Sequence, residues 1–168
     1  MVRNIAIFAV VIAIVSLGGI WFISSSGDDK FAQCRAGSVA GGAASIGGPF
    51  DLVDEDGVAV TDKDVITEPS ILYFGYTFCP DVCPMDASRN AEAVALLEER
   101  GVMVKPVFIS IDPARDTPES LKDFTDVMHP RMVGLTGTPA QVKAASQAYR
   151  TYYKKQEGDD PDYYLVDH

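Results

Sequence analysis

Two cysteines at positions 79 and 83 are the side chains of this sequence best suited to chemistry. On a helical turn, residues at i and i+4 lie on the same face, with Cβ atoms roughly 5–6 Å apart. Two thiols at that spacing can form a disulfide, or they can bind one metal ion as thiolates. A nearby helix N-terminus lowers the pKa of a thiol and so favours the thiolate that both reactions require. Cys79 and Cys83 therefore predict either a redox pair or a metal site.

The segment that carries the two cysteines predicts a strand, a sharp turn and a helix. Ile71 to Phe74 form a short apolar run, typical of a strand buried on both faces of a mixed or parallel sheet. Gly75 and the residues after it break the run. Pro84 suits the first position of a helix, because its missing N–H would have no partner there. The thiols are thus expected at the carboxyl end of a strand, where open α/β folds place their sites.

A third ligand would distinguish a metal site from a redox pair, and the chain has two histidines, His129 and His168. His129 is expected at the end of a helix, in contact with the last carbonyl groups. His168 follows the last apolar run. Two thiolates and one imidazole would suit Cu(I), whereas a closed structural zinc site would require a fourth ligand. The residues alone leave the metal site and the redox pair open, with a structural disulfide as a third alternative.

Several other polar residues lie near the predicted site. Asp81, between the cysteines, either orients a partner or is an exposed loop residue. Asp112, Arg115 and Asp116 follow the next predicted strand. They either border the metal or pair within their loop and stabilise the start of the next helix. Cys34 lies in a Gly- and Ser-rich segment and is interpreted as a free thiol.

Composition limits the classes of function. A length of 168 residues allows one domain with a sizeable core, plus an appendage. The net charge of −10 argues against nucleic acid, whose phosphates require a basic face. Three cysteines are an odd number, so at most one disulfide can form within the chain.

The first residues predict a transmembrane anchor. Residues 5–23 carry no charge, and nineteen residues in a helix span roughly 28 Å, close to the hydrocarbon core of a bilayer. A cleavable signal peptide is the alternative, but the apolar run is longer than usual and no A-x-A site follows it. Arg3 places residues 1–4 in the cytoplasm and the domain on the periplasmic side, or in the intermembrane space of a mitochondrion.

We expect the mature chain to keep this anchor. Amino-terminal sequencing of protein purified from membranes should therefore find the chain intact through residues 5–23. A mature chain that starts near Ser24 would show instead that the segment is a signal peptide.

The remainder predicts a linker at residues 24–48, rich in Gly, Ala and Ser, and a folded domain at 49–168. Apolar-alternating runs on both sides of Glu55-Asp56-Gly57 predict a β-hairpin. The further elements are a helix at 84–100 that stops at Gly101, a strand at 102–111, a helix that starts at Thr117-Pro118, a strand around 132–135, a helix from Thr138-Pro139 to about 152, and a last apolar run at 163–166.

This order of strands and helices predicts an α/β fold with a thioredoxin-like core. Its central mixed sheet is flanked by helices, an amino-terminal β-hairpin is added, and one transmembrane helix precedes the domain. The strand–helix–strand unit around the cysteines is expected to have parallel strands.

Four stretches of this sequence carry a resemblance to a known family: YFGYTFCPDVCP, PVFISIDPARDTPE, HPRMVGLTG and DYYLVDH, in that order. With them the chain resembles the Sco/SenC family from about Ile46 to its last residue, and the CPDVC segment is the most specific part. Members of that family are membrane-anchored, thioredoxin-like copper proteins that take part in cytochrome c oxidase assembly. They continue past the equivalent of His168 with a strand and a helix, so the resemblance implies a longer natural chain.

The resemblance implies that Cys79, Cys83 and His168 bind one copper ion, as Cu(I) or Cu(II). It also implies that an upstream donor supplies the copper. The protein would then deliver copper to the binuclear copper site of oxidase subunit II, or reduce the thiols of that site. The resemblance thus implies a metallochaperone and not a turnover enzyme. The alternative is an exported, anchored thiol-disulfide oxidoreductase in which Cys79 and Cys83 form the redox-active dithiol without an obligatory metal.

Overall fold

The structure is a computed structural model that describes residues 46–156 and 163–168. The chain divides into two units, Met1–Ala43 and Ala44–His168, and every described residue belongs to the second. The predicted anchor at 5–23 and Cys34 lie outside the described residues. In the part of the chain that is described, no helix is both long and apolar enough to cross a membrane.

A five-stranded mixed sheet organises the domain. Its strands are β1 (Asp51–Asp54), β2 (Ala59–Thr61), β3 (Ser70–Gly75), β4 (Lys105–Ser110) and β5 (Val133–Thr136). Their spatial order is β2-β1-β5-β4-β3. Strands β3, β4 and β5 are parallel, whereas β1 runs antiparallel to both of its neighbours. The predicted amino-terminal hairpin is confirmed, and its turn includes Gly57 at a positive φ of 78°.

Helices cover both faces of this sheet. They are α1 (Asp62–Val65), α2 (Val82–Glu98), α3 (Pro118–Met128) and α4 (Pro139–Ala148). Side chains of β4 alternate between two core clusters, as expected of a strand covered on both faces. Ile109 packs with Val142 of α4, whereas Phe108 packs with Leu121 of α3. A second, two-stranded sheet pairs β6 (Lys154–Lys155) with β7 (Val166–Asp167).

The helix starts follow the sequence prediction at two of three sites. Thr117 and Thr138 are N-caps followed by proline, as predicted. The prediction for Pro84 was wrong, because α2 begins at Val82 and places the proline third. A proline is tolerated there for a related reason: the first four N–H groups of a helix have no partner within it.

Two element ends also differ from the prediction. Strand β4 begins at Lys105 and not at 102, because the N–H of Val102 bonds the carbonyl of Leu97 and completes the end of α2. Helix α4 ends at Ala148 and not near 152, because Arg150 adopts a positive φ of 55° that interrupts the helix.

Strand β3, which leads to the cysteines, lies at an edge of the sheet among the described residues. It pairs with β4 from Ser70 to Gly75. Ile71, Leu72 and Tyr73 are consequently half-buried, and the expectation of burial on both faces holds only at the end of the strand, where Phe74 is buried.

The last residue of β3, Gly75, leaves room for aromatic rings. A Cβ at this position would lie 2.6 Å from Cε1 of Tyr73 and 3.1 Å from Cε2 of Phe108. We expect Gly75→Ala to lower the free energy of unfolding by about 1–3 kcal/mol, because a packed interior must shift to admit the methyl group. Urea unfolding measures this loss.

Gly48→Ala is the matched control. A Cβ at position 48 would meet only Cβ of Ala148, at an ordinary contact distance of 3.4 Å. Its free energy of unfolding should change by less than about 0.5 kcal/mol. Equal losses in the two variants would show that the crowding at Gly75 has no energetic consequence.

Candidate functional site

The two cysteines are in contact at the junction of β3 and α2. Cys79 lies in the loop after β3, and Cys83 is the second residue of α2. The backbone N–H of Cys83 donates a hydrogen bond to Sγ of Cys79 at 3.3 Å. Both are free thiols, and Cys83 is completely buried. The structure thus brings the predicted dithiol together at the carboxyl end of a strand.

The two thiols differ in acidity. Burial acts to raise the pKa of Cys79. Hydrogen bonds from the Cys83 thiol and from the N–H groups of Asp81 and Cys83 act in the opposite direction and outweigh burial, so the pKa lies below its ordinary value. Burial, followed by the hydrogen bond and the charge of Cys79, raises the pKa of Cys83 to about 12. Cys79 is therefore the more acidic thiol of the pair, and the expected lowering of one thiol pKa is confirmed.

His168 reaches the cysteines from the carboxyl-terminal segment. Its Nε2 lies 3.5 Å from Sγ of Cys83 and 3.3 Å from the hydroxyl of Tyr73. Its Nδ1 lies 3.3 Å from the carbonyl oxygen of Val166. A carbonyl can only accept, so Nδ1 carries the proton and Nε2 presents a lone pair toward the thiol. This is the tautomer that a metal ligand at Nε2 requires.

Aromatic residues hold the histidine segment against the cysteine loop. The hydroxyl of Tyr76 accepts a hydrogen bond from the N–H of Val166 at 3.2 Å. The hydroxyl of Tyr164 donates to Asp112 at 2.6 Å. The Arg115 guanidinium stacks over the Tyr164 ring, 3.6 Å from its centroid. The segment that carries His168 is thus fixed at two points before the imidazole.

The loop after β4 is hydrogen-bonded to the cysteine loop. Asp116 is buried and accepts hydrogen bonds from the hydroxyl of Ser110 and from both the hydroxyl and the N–H of Thr77. Burial raises the pKa of the Asp116 carboxyl. Asp112 and Arg115 form an ion pair within the loop. Pairing within the loop, one of the two alternatives considered for these residues, thus describes Asp112 with Arg115, whereas Asp116 bonds the cysteine loop through Thr77.

The side chains of two other residues considered from sequence take no part in the thiol–imidazole contact. Asp81 is exposed at the N-cap of α2, and its side chain makes no capping hydrogen bond. His129 caps the end of α3 as expected. Its side chain contacts other groups than the last carbonyls, however: Nδ1 accepts from the N–H of Arg131, and Nε2 lies 3.8 Å from Glu98.

A cleft of about 240 Å³ opens beside the thiols, between the cysteine loop and the carboxyl-terminal segment. Cys79, Val82, Gln156 and His168 are among its lining residues. Within residues 46–156 and 163–168, no three His, Cys, Asp or Glu side chains are grouped as a metal site. The direct contact is the pair of Cys83 and His168, with Cys79 adjacent to Cys83.

The sequence analysis placed Tyr73 in a buried strand, and it missed what the hydroxyls of Tyr73 and Tyr76 touch. Both rings lie edge-on to the His168 imidazole, with centroids 6.3 and 5.9 Å from it. Burial, then the charges of the thiols, raises the pKa of Tyr73, which stays protonated. The available signal was the position of two tyrosines at the end of the strand that leads to Cys79.

A mixed sheet with helices on both faces, and a dithiol where a strand meets a helix, define a thioredoxin-like domain. The model of the SCO1/SenC family matches residues 38–168. The chain therefore belongs to the SCO1/SenC family.

Relatives support this assignment. Protein SenC of Rhodobacter capsulatus is 54% identical over 164 residues, which cover 98% of this chain and 73% of that protein. The mitochondrial protein SCO1 homolog 1 of Arabidopsis thaliana is 48% identical over 128 residues, which cover 76% of this chain but only 38% of that protein. The crystal structure of Arabidopsis thaliana ScoI with copper bound matches with a TM-score of 0.69 and 48% identity, over 73% of this chain and 76% of that one.

Proposed function

We propose that this chain is a copper-binding assembly factor for cytochrome c oxidase. It binds one copper ion through Cys79, Cys83 and His168 and passes the ion to the binuclear copper site of subunit II, after receiving it from an upstream donor. The observation that carries the proposal is the 3.5 Å separation between Nε2 of His168 and Sγ of Cys83. The copper-bound relative from Arabidopsis thaliana supports the choice of metal.

The separation of the Cys83 and His168 donor atoms suits two ligands of one metal ion. In zinc sites, a sulfur ligand at about 2.3 Å and a nitrogen ligand at about 2.1 Å, roughly a tetrahedral angle apart, would be separated by roughly 3.6 Å. The Cys83–His168 distance is close to that value. Thiolates are soft ligands that select Cu(I). An imidazole nitrogen is a harder ligand that also suits Cu(II). Three ligands beside an open cleft leave a side from which an incoming thiol can approach.

Each ligand has a distinct role in loading and release. Cys79 is the more acidic thiol and ionises more readily, whereas Cys83, with its raised pKa, must lose a proton when copper binds. His168 contributes Nε2, and the orientation of its ring is set by the carbonyl of Val166. An acceptor that offers more thiolates can then exchange ligands with these three residues one at a time.

A second candidate function rests on the difference in acidity between the two thiols. A dithiol with one acidic and one buried cysteine suits disulfide exchange, in which the thiolate attacks and the second thiol resolves the mixed disulfide. In that case Cys79 attacks, Cys83 resolves, and the target is the oxidised copper site of subunit II. Copper would then not be required for activity.

A copper titration separates the two functions. We propose to titrate the reduced full chain with Cu(I) under anaerobic conditions, against a chromogenic Cu(I) chelator. A metallochaperone binds one equivalent tightly, and the bound copper protects both thiols from alkylation. Absence of tight binding, together with rapid thiol–disulfide exchange, would favour the oxidoreductase. The proposal includes a membrane anchor at residues 5–23 that holds the domain on the side of the membrane opposite the cytoplasm. The amino-terminal sequencing described above tests for this anchor.

A further inference from the structure

The hydroxyl of Tyr73 lies at the nitrogen of His168 that would bind metal. Its oxygen is 3.3 Å from Nε2, and the other neighbour of this nitrogen is Sγ of Cys83 at 3.5 Å. Because Nδ1 faces the carbonyl of Val166, Nε2 carries the lone pair and can accept a hydrogen bond. A thiol is a weak donor, whereas a phenol is a good one. Of the two donors beside this lone pair, Tyr73 is therefore the stronger, and its hydroxyl also hydrogen-bonds the Cys83 thiol.

The packing around Tyr73 directs its hydroxyl to this place. The ring is held by Phe108, with centroids 5.9 Å apart, and it meets the His168 ring edge-on. Gly75 leaves the space that the ring occupies, since a Cβ there would lie 2.6 Å from Cε1 of Tyr73. A strand residue with a fixed ring thus offers a fixed donor to the imidazole.

We propose that the Tyr73 hydroxyl is a placeholder for copper on His168, holding Nε2 in the metal-free protein and giving it up when the metal binds. One lone pair cannot accept a hydrogen bond and bind a metal at the same time, so copper must displace the hydroxyl. The inference rests on the three-ligand copper site proposed above. It adds a residue that lowers copper affinity, and so favours release, without being a ligand.

The Tyr73 hydroxyl can find another hydrogen-bond partner once copper binds to His168. An open pocket of about 310 Å³ lies beside the site, and Leu72, Tyr73, Thr151 and His168 are among its lining residues. Water in this pocket can replace the imidazole as the partner of the hydroxyl. Metal binding thus exchanges a hydrogen bond within the protein for one to water, and the difference corresponds to a roughly two- to tenfold effect on affinity.

Tyr73→Phe tests the proposal, because it removes the hydroxyl and keeps the ring. The full chain is reduced, and its Cu(I) affinity is measured against a chromogenic chelator. We expect binding that is roughly two- to tenfold tighter than in the parent. In the metal-free protein, ¹⁵N NMR of the imidazole should show a displaced Nε2 resonance, because this nitrogen has lost its donor.

Tyr164→Phe is the matched control. It also removes a hydroxyl that supports the histidine segment, but that hydroxyl donates to Asp112 and touches no proposed ligand. It should not tighten copper binding, and it should leave the Nε2 resonance in place. An unchanged or weaker affinity in Tyr73→Phe, or an unmoved Nε2 resonance, would overturn the placeholder.

A third variant separates this inference from the function on which it rests. His168→Ala should weaken copper binding if the three-ligand site is correct. If it weakens binding while Tyr73→Phe does not strengthen it, only the placeholder fails. If His168→Ala leaves copper affinity unchanged, the proposed site fails and the placeholder fails with it.

Discussion

Replacement of either Cys79 or Cys83 by serine is expected to abolish tight copper binding. A serine hydroxyl is a hard, protonated group that cannot replace a soft thiolate on Cu(I). Loss of an outer partner of a metal site typically costs 10–100-fold in affinity, so the loss of a direct ligand should exceed about 100-fold. Competition with a Cu(I) chelator measures the change in each single variant.

Cys34→Ser is the control for this prediction. It removes a thiol from the chain but leaves the dithiol at the start of α2 unchanged. Its copper affinity should equal that of the parent. If Cys34→Ser alone removed copper, or if both serine variants at 79 and 83 kept it, the site would lie elsewhere in the chain.

The pH dependence of copper loading follows from the Cys83 thiol. Its raised pKa, about 12, means that it is protonated at neutral pH in the metal-free protein and must release that proton on binding. Apparent copper affinity should therefore rise by about tenfold for each unit of pH increase around neutrality, from this proton alone. Chelator competition at several pH values measures the slope. A flat profile would contradict thiolate ligation by Cys83.

Replacement of His168 by alanine is expected to separate copper binding from dithiol chemistry. A redox pair needs only two sulfur atoms, so the reduction potential of Cys79 and Cys83 should stay close to that of the parent. Copper affinity should fall, by more for Cu(II) than for Cu(I), because the harder cupric ion depends more on nitrogen donors. Equilibration with glutathione buffers measures the potential, and chelator competition in both oxidation states measures affinity.

Asp167→Ala is the control for a loosened chain end. Asp167 precedes the histidine, and its carboxylate accepts a hydrogen bond from the side chain of Gln156 at 2.7 Å. Its loss disturbs the same segment without removing a proposed ligand. Copper affinity that falls equally in Asp167→Ala and His168→Ala would mean that order in the segment, and not the imidazole, is responsible.

The fold was largely predictable because its signals are local. The turn at Gly57 and the Thr-Pro starts of α3 and α4 depend on residues within one turn of the chain. The edge position of β3 was not predictable, because an apolar run looks the same at an edge as in the centre of a sheet. The start of α2 was missed by two residues, because a proline fits any position in a helix's first turn.

The site could be predicted from the sequence only where the spacing of neighbouring residues indicated their chemistry. Cys79 and Cys83 are four positions apart, and this spacing indicates a pair in the sequence. The contact of His168 with Cys83 joins residues 85 positions apart. Family resemblance, and not spacing, pointed to that histidine. The role of Tyr73 could not be foreseen, because whether a strand tyrosine lies in a core or at a ligand depends on tertiary packing.

X-ray absorption at the copper edge of the loaded full chain tests the central claim most directly, because it counts the sulfur and nitrogen atoms bound to the metal. The proposed site predicts two sulfur ligands and one imidazole nitrogen, with the nitrogen contribution lost in His168→Ala. Coordination by sulfur alone, or a parent spectrum that His168→Ala does not change, would contradict a site formed by Cys79, Cys83 and His168.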